Sequence, residues 1–254
     1  MSKYEKLRDQ GLLSLRSYMD SLDEDKGTKL AYWIKDYVKF LTKESAFDPK
    51  RLVRYKRGSI VKVHLGYRIG SEEGGLHYAI VVDVNNELSS PTATVIPLTS
   101  VKPKTNLKNL HHSRLPLGDE IFRLLTKRLM DEIALAEKLA ANIEEKQKEA
   151  EQSATASTEP DAQAITATNR IVAAALQKER NELQAKIDHC KNMLREIQKM
   201  KIGSIALVGQ ITTVSKIRIY DPLFPGDALS NIRLAPATMD KIDDKLRELF
   251  TKQG

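Results

Sequence analysis

Residues 57–100 read RGSIVKVHLGYRIGSEEGGLHYAIVVDVNNELSSPTATVIPLTS, and this stretch decides the fold. It contains three short apolar runs rich in β-branched residues, at positions 60–65, 78–84 and 93–98. Glycines separate the first run from the second, and a segment rich in asparagine and serine separates the second from the third. Apolar runs of this length between turn-forming residues predict β-strands.

The strand pattern returns only at residues 204–219, which read SIALVGQITTVSKIRI. In between, residues 119–201 carry apolar or small side chains at alternating spacings of three and four, the pattern of coiled-coil helices. The two sets are Phe122, Leu125, Leu129, Ile133, Ala136, Ala140, Ile143 and Ala150, then Val172, Leu176, Leu183, Ile187, Cys190, Leu194 and Ile197. The polar segment 152–163, which contains Pro160, predicts a turn or flexible linker between them. We therefore predict an antiparallel helical hairpin, which can interrupt a sheet because its ends lie close together.

The first 49 residues predict two short helices with a break at residues 25–27. Their apolar side chains recur at helical spacing and include Trp33, Tyr37 and Leu41. Such a stripe favours packing, and a binding role is the alternative.

The positive charge is concentrated in one segment. The chain has a net charge of +7, and residues 50–117 alone hold eleven lysines and arginines against four acidic residues. Four of the five histidines lie in the same segment. This segment predicts either a surface for a phosphate backbone or an ordinary solvated basic surface.

Composition argues against several classes of protein. No stretch approaches the roughly 18 uninterrupted apolar residues of a membrane span, so we expect a cytoplasmic protein without a membrane partner. The single cysteine, Cys190, forms no intramolecular disulfide and is expected to be a structural thiol on a helix. The strand segments hold no cluster of histidine, cysteine and carboxylate at ligand spacing, so we expect no metal and no cofactor.

Residues 57–100 resemble the N-terminal half of MazF/PemK toxins, which have an RGD-like turn, a GSEQ-G loop, a PAVV-type strand and a strand that ends in threonine. Residues 203–219 (GSIALVGQITTVSKIRI) resemble the later strands of that family, and residues 232–250 (IRLAPATMDKIDDKLRELF) resemble its C-terminal helix. The resemblance implies an α+β fold, a small SH3-like antiparallel β-barrel of the MazF/CcdB type interrupted by a long antiparallel coiled-coil hairpin. We divide the chain into a helical extension at 1–50, the first half of the barrel at 51–118, the inserted hairpin at 119–201, and the second half with the C-terminal helix at 202–254.

The resemblance also implies a function. Members of the family are type II toxins that usually dimerise and are inhibited by a cognate antitoxin. They cut single-stranded RNA, rather than DNA, at short sequences without a metal, leaving a 2′,3′-cyclic phosphate and a 5′-hydroxyl.

In the family, an arginine five residues after the loop glutamate and a threonine at the end of the next strand carry the reaction. Five residues after Glu72 this sequence has His77, and the threonine is Thr99. We expect His77 and Thr99 to be the catalytic pair, with Glu72 and Ser100 in support. Imidazole transfers protons near neutral pH whereas guanidinium does not, so the replacement either preserves cleavage with a new pH dependence or weakens it.

Contacts with the RNA backbone are expected from the basic residues of the same segment, with a solvated surface as the alternative for each. The candidates are Arg57, Arg68, Lys102, Lys104, His111, His112 and Arg114. Tyr67 and Tyr78 are candidates for stacking on bases, although a strand tyrosine is more often part of the core.

Three functions remain open from the sequence. The first is an endoribonuclease toxin whose antitoxin places an acidic segment in the basic groove. The second is a catalytically weakened module of the same fold that binds RNA or protein and uses the coiled coil for oligomerisation. The third is a toxin directed at a protein such as gyrase, because the related CcdB toxins share the barrel.

Overall fold

The computed structural model describes residues 1–156, 162–200 and 202–252. Its helices are α1 Lys3–Asp20, α2 Glu24–Glu44, α3 Glu120–Ala156, α4 Ala162–Lys199 and α5 Pro236–Phe250. Its strands are β1 Ile60–His64, β2 Leu76–Val81, β3 Thr92–Ser100, β4 Leu115–Gly118, β5 Ser204–Ala206, β6 Thr212–Ser215 and β7 Ile219–Asp221. The predicted fold class is confirmed, since an antiparallel sheet is interrupted by a long pair of packed helices.

The sheet is organised around β3, its longest strand. The strand order is β4-β5-β3-β2-β1-β7, and β6 also pairs with β3. Along one edge, β3 pairs with β6 through residues 92–95 and with β5 through residues 98–100. Along the other edge it pairs with β2. Strands that precede the helical hairpin and strands that follow it therefore complete one sheet.

Both faces of the sheet bury apolar side chains. Successive side chains of a strand point to opposite faces, so an uninterrupted apolar run supplies both. On one face, Val61, Val63 and Val81 belong to a cluster that also contains Tyr55. On the other face, Ile80 and its neighbours pack against α3, α4 and α5. Each such side chain contributes roughly 1.5–3 kcal/mol when it is fully buried. The near-continuous apolar runs of the sequence reflect this two-sided burial.

The base of the helical hairpin is part of this second core. Ile121 and Leu125 of α3 and Met193 of α4 are fully buried in the cluster that contains Ile80. Farther out, the two helices pack mainly on each other. The base of the hairpin therefore shares a hydrophobic core with the sheet.

A polar contact also ties α4 to the sheet. The Glu196 carboxylate accepts hydrogen bonds from the Lys62 ammonium of β1 and the Tyr78 hydroxyl of β2, both at 2.8 Å. Burial opposes ionisation of Glu196, but these two hydrogen bonds outweigh it and lower the pKa of the carboxyl. Burial raises the pKa of the Tyr78 phenol. Tyr78 is thus held by α4, and its predicted role in base stacking is not supported.

Two predicted boundaries are wrong. Residues 25–27 lie in the first turn of α2, because the Asp23 side chain caps this helix by accepting from the Lys26 amide at 2.9 Å. The predicted linker at 152–163 is partly helical, since α3 runs to Ala156 and α4 begins at Ala162. Residues 157–161, including Pro160, lie outside the described residues. Among the described helices, none is both long and apolar enough to cross a membrane.

Candidate active site

His77 lies near the start of β2, opposite Val63 of β1, with a side chain that is 23% exposed. Its Nδ1 is 3.2 Å from the Leu98 carbonyl oxygen, and its Nε2 is 3.1 Å from Oε1 of Glu73. Both partners are hydrogen-bond acceptors. A neutral imidazole donates from only one nitrogen, whereas imidazolium donates from both. His77 therefore donates in both contacts only when both of its ring nitrogens carry a proton.

The carboxylate beside His77 belongs to Glu73 and not to Glu72, which was expected to support it. Glu72 points the other way and pairs with Arg68 at 3.6 Å. Both glutamates belong to the connection between β1 and β2, which we call the glycine loop (residues 65–75). Hydrogen bonds between the two ends of the loop, from Leu65 to Gly75 at 2.7 Å and from Gly75 to Gly66 at 2.8 Å, fix where its glutamates point.

Thr99 lies near the end of β3 on the same face of the sheet as His77. The pairs Ala79 with Pro97 and Val81 with Val95 define the register of β2 and β3. The pairing of β2 with β3 ends at Ala79 and Pro97, and beyond it the His77 ring contacts the carbonyl oxygen of Leu98, the residue before Thr99. Within the described residues, the Thr99 hydroxyl makes no hydrogen bond. That Thr99 acts together with His77 stays a prediction.

Ser100 is not part of this arrangement. Successive strand side chains point to opposite faces, so Ser100 faces away from Thr99. It pairs with Ser204 of β5 and lies in a small crevice that also contains Tyr78 and Lys199. Its predicted supporting role is not favoured by this geometry.

Gln210, the last residue of a short 3-10 helix between β5 and β6, holds the glycine loop in place. The Gln210 side chain accepts from the Glu73 amide at 3.3 Å and donates to the Ser71 carbonyl oxygen at 3.2 Å. The neighbouring Gly209 amide donates to the Ser113 carbonyl oxygen at 3.1 Å. Ser113 in turn hydrogen-bonds Nδ1 of His111 at 2.8 Å. The loop, Gln210 and the turn at 111–113 are therefore neighbours.

Of the predicted RNA-binding residues, those that follow β3 are exposed. Lys102, Lys104, His111, His112 and Arg114 all lie in the connection between β3 and β4, which we call the basic segment (residues 101–114). The His111 and His112 rings are 4.2 Å apart. This segment carries positive charge next to the end of β3 that bears Thr99.

The two other predicted RNA-binding arginines are engaged inside the fold. Arg57 is only 19% exposed and its guanidinium bonds the Val82 carbonyl oxygen and Asp243 of α5. These contacts join the residues before β1 to α5, and the binding of RNA by Arg57 stays a prediction. Arg68 donates to the Leu65 carbonyl oxygen at 2.8 Å and also pairs with Glu72, so it stiffens the glycine loop.

Sequence reasoning missed Glu73 and Gln210. Glu73 follows Glu72 directly, and its spacing from His77 would have suggested it only if the turn geometry of the loop had been known. Gln210 lies beyond the 83-residue hairpin segment, and no local pattern connects it to the loop. The described residues contain no group of three or more histidine, cysteine, aspartate or glutamate side chains arranged to hold a metal ion.

With this geometry in view, the chain can be compared with known proteins. Residues 56–155 match the family model of PemK-like, MazF-like toxins of type II toxin–antitoxin systems. Over these residues the chain is similar to the PemK-like, MazF-like toxins. The match begins before β1 and reaches the end of α3, so it includes the glycine loop, His77 and Thr99. No curated protein matches the chain.

The family match does not account for the whole chain. Helices α1 and α2 precede the matched residues, while α4 and the strands that complete the sheet follow them. Gln210, which holds the glycine loop, is one of the residues outside the match. The candidate site residues therefore lie within the family match, and Gln210, which holds their loop, lies outside it.

Proposed function

We propose that this chain is the toxin of a type II toxin–antitoxin system and acts in the cytoplasm as a metal-independent endoribonuclease on single-stranded RNA. The observation that supports this most directly is the double contact of His77 with the Leu98 carbonyl and the Glu73 carboxylate. A doubly protonated His77 would donate in both contacts, and this form would supply the positive charge that arginine supplies in the family.

The proposed reaction is an attack by the ribose 2′-oxygen on the adjacent phosphorus. The 2′-hydroxyl gives its proton to the Glu73 carboxylate as the new oxygen–phosphorus bond forms. The bond from phosphorus to the 5′-oxygen breaks, and His77 gives that oxygen a proton. The products are a 2′,3′-cyclic phosphate and a 5′-hydroxyl. A proton transfer from Glu73 to His77 across their 3.1 Å contact then restores the site.

Thr99 has a different part in this proposal. Its hydroxyl would donate to a non-bridging phosphate oxygen, where negative charge increases in the transition state. The exposed cations of the basic segment would hold the neighbouring phosphates of the strand. These contacts position the RNA without reading its bases.

Incubation of the purified chain with mixed RNA in EDTA, followed by sequencing of the fragment ends, tests the proposal. We expect cleavage with cyclic phosphate at the upstream end and hydroxyl at the downstream end. A folded protein that cuts no RNA over a range of buffers would rule the activity out.

Two partners belong to the proposal. The first is an antitoxin with an acidic segment that covers the basic segment and His77, and its addition is expected to stop cleavage. The second is another copy of the chain, because toxins of this kind usually form homodimers. Light scattering on the purified protein measures this directly.

The second candidate function is a binding module that oligomerises through its helices. A groove of about 570 Å³ runs between α3 and α4 and is lined mainly by apolar side chains such as Leu129, Ile133 and Leu183. Met130 and Leu194 at this groove are exposed. Absence of cleavage together with tight RNA binding and a self-association that Met130→Glu abolishes would favour this function.

A further inference from the structure

A pocket lies between α2 and the glycine loop. It has a volume of about 540 Å³ and is lined by aromatic, basic and loop residues. Helix α2 contributes Lys29, Tyr32 and Trp33, and the end of β1 with the loop contributes His64, Tyr67 and Glu72. Helix α2 lies outside the residues that match the toxin family. The pocket is therefore formed jointly by the matched residues and the N-terminal extension.

The wall of this pocket is rigid. The Trp33 ring stacks on the His64 ring at 4.6 Å between centroids, and the Arg218 guanidinium lies 5.5 Å from the indole. Arg218 also donates to the His64 carbonyl oxygen at 2.8 Å, and burial lowers the pKa of its guanidinium. Gly66 permits this close packing, because a Cβ there would lie 3.0 Å from Arg218 and 3.4 Å from Trp33.

A second contact fixes the position of α2 on the sheet. The Tyr220 hydroxyl of β7 donates to the Asp36 carboxylate at 3.0 Å. Leu30 of α2 is buried. The helix that supplies half of the pocket is thus held at several points along its length.

Two tyrosines of the pocket have free ring surfaces. Tyr32 is 67% exposed and Tyr67 is 38% exposed. In the part of the chain that the structure describes, neither hydroxyl makes a hydrogen bond. Exposed aromatic rings beside lysine and arginine are the features that bind unpaired bases, by stacking and by attraction of the phosphates.

The glycine loop separates this pocket from the candidate active site. Of its two consecutive glutamates, Glu72 lines the pocket and Glu73 contacts His77. Leu76 lines the pocket, and the next residue along the strand is His77. A single RNA strand that crosses the loop would therefore place a phosphate at His77 and a nearby base between Tyr32 and Tyr67.

We propose that this pocket is a base-binding subsite, in which the N-terminal extension holds an unstacked RNA base close to the cleaved phosphate. The inference rests on the proposed function for the identity of the ligand. Glu72 at the pocket wall accepts hydrogen bonds, so it favours a base that presents an amino group, such as guanine, over uracil. The extension thereby contributes to the choice of the cleaved sequence.

The chain has a single tryptophan, and it lines this pocket, so its fluorescence reports occupancy without any need for cleavage. The probe is a random eight-nucleotide RNA with 2′-O-methyl groups, which lacks the attacking hydroxyl. We expect it to quench Trp33 in the full-length protein. Tyr67→Ala should weaken this binding roughly 5- to 100-fold, the range for loss of one stacked base, and Tyr67→Phe should restore it.

Tyr4→Ala is the matched control, because Tyr4 is an exposed tyrosine on α1 and does not line the pocket. Circular dichroism verifies the fold of each variant. Binding of the probe without a change in Trp33 fluorescence, or equal affinities for Tyr67→Ala and Tyr4→Ala, would overturn the proposal. Quenching by a polyglutamate peptide but not by RNA would overturn it in favour of a protein ligand.

Cleavage of unmodified RNA is measured separately, so the two proposals fail in different ways. If RNA is cut at the same sequences and rates by the wild type and Tyr67→Ala, the subsite is wrong and the endoribonuclease proposal stands. If RNA quenches Trp33 fluorescence and Tyr67→Ala weakens RNA binding, but no RNA is cut, the base-binding subsite is supported and the endoribonuclease proposal is wrong.

Discussion

Replacement of Glu73 by glutamine distinguishes a residue that accepts a proton from one that only positions His77. The Glu73 carboxylate lies 3.1 Å from Nε2 of His77, and both side chains are less than one third exposed. Glutamine keeps an acceptor oxygen at nearly the same place. It loses the negative charge and the ability to take up a proton.

Loss of the negative charge and loss of the general base slow cleavage by different factors, so the cleavage rate separates them. A hydrogen bond between charged groups contributes about 1.5–3 kcal/mol, so loss of the charge alone would slow cleavage roughly 10- to 100-fold. Loss of a general base costs a further factor of about 100 to 10,000. If Glu73 takes the 2′-hydroxyl proton, we therefore expect Glu73→Gln to be slower by a factor of about 1,000 or more.

The assay is single-turnover cleavage of RNA across a range of pH. If one group of the site accepts a proton and another donates one, the cleavage rate of the wild type should fall at both low and high pH. His77→Arg should keep partial activity without the fall at moderately high pH, because guanidinium does not titrate there. Glu87→Gln is the matched control, because Glu87 is exposed in the connection between β2 and β3, and it should cleave at a rate close to that of the wild type.

A Glu73→Gln variant that cleaves within tenfold of the wild type would refute the assignment of Glu73 as the base. A larger loss in Glu72→Gln than in Glu73→Gln would transfer that role to the other carboxylate. If His77→Ala cleaves as fast as the wild type, the cation at this site is not needed, and His111 or His112 becomes the next candidate.

Three further predictions concern Thr99, the hairpin and Asp221. Thr99→Ala should slow cleavage roughly 10- to 1000-fold, the loss of one transition-state hydrogen bond, and Thr99→Ser should recover most of the rate. Replacement of residues 130–192 by a short linker should leave a domain that melts cooperatively with much less helical circular dichroism, because the buried base of the hairpin is retained. Burial raises the pKa of Asp221 from 3.8 to about 6, so the folded state should lose stability as pH rises from about 4 to 6. Asp221→Asn should remove that loss, worth at most about 3 kcal/mol before solvent screening, and should raise the melting temperature at pH 7.

Each of these predictions has a result that would contradict it. Wild-type rates in Thr99→Ala would remove its hydroxyl from the site. Failure of the shortened hairpin to fold would mean that the outer parts of α3 and α4 are required for the sheet. For Asp221→Asn and the wild type, melting temperatures are measured at pH 4 and pH 7. An equal change of melting temperature in the two proteins would contradict the effect of burial. Asparagine keeps the oxygen that accepts from the Leu229 amide at 2.9 Å, so this hydrogen bond is present in both proteins.

The fold was largely predictable because its elements carry strong local patterns. The β-branched runs match β1 to β3, and the apolar spacing of three and four matches α3 and α4. β4 was missed because its sequence, LPLG, contains proline and glycine and resembles a loop. The start of α2 was misplaced because glycine was weighted as a break, whereas the cap supplied by Asp23 decides the boundary.

The candidate site was only partly predictable. Counting along the chain located His77 and Thr99, because each lies near one end of a strand that the sequence pattern predicts. Counting could not tell which of Glu72 and Glu73 faces His77, since this depends on positive φ angles at Gly66 and Gly75. The sequence also could not show which basic side chains are exposed. Arg57, for example, is partly buried by its contact with Asp243, which is distant along the chain.

The pairing of Thr99 with Ile205 has a consequence for the order in which the molecule is assembled. During synthesis, β3 emerges with only β2 available as a neighbour, and its other edge stays open until more than a hundred further residues have been added. Such high contact order makes this pairing a late event in folding. The growing hairpin shortens the search by bringing β5 back beside β3. Since Gln210 arrives with the same late segment, the loop that carries Glu73 is secured only when most of the chain has left the ribosome.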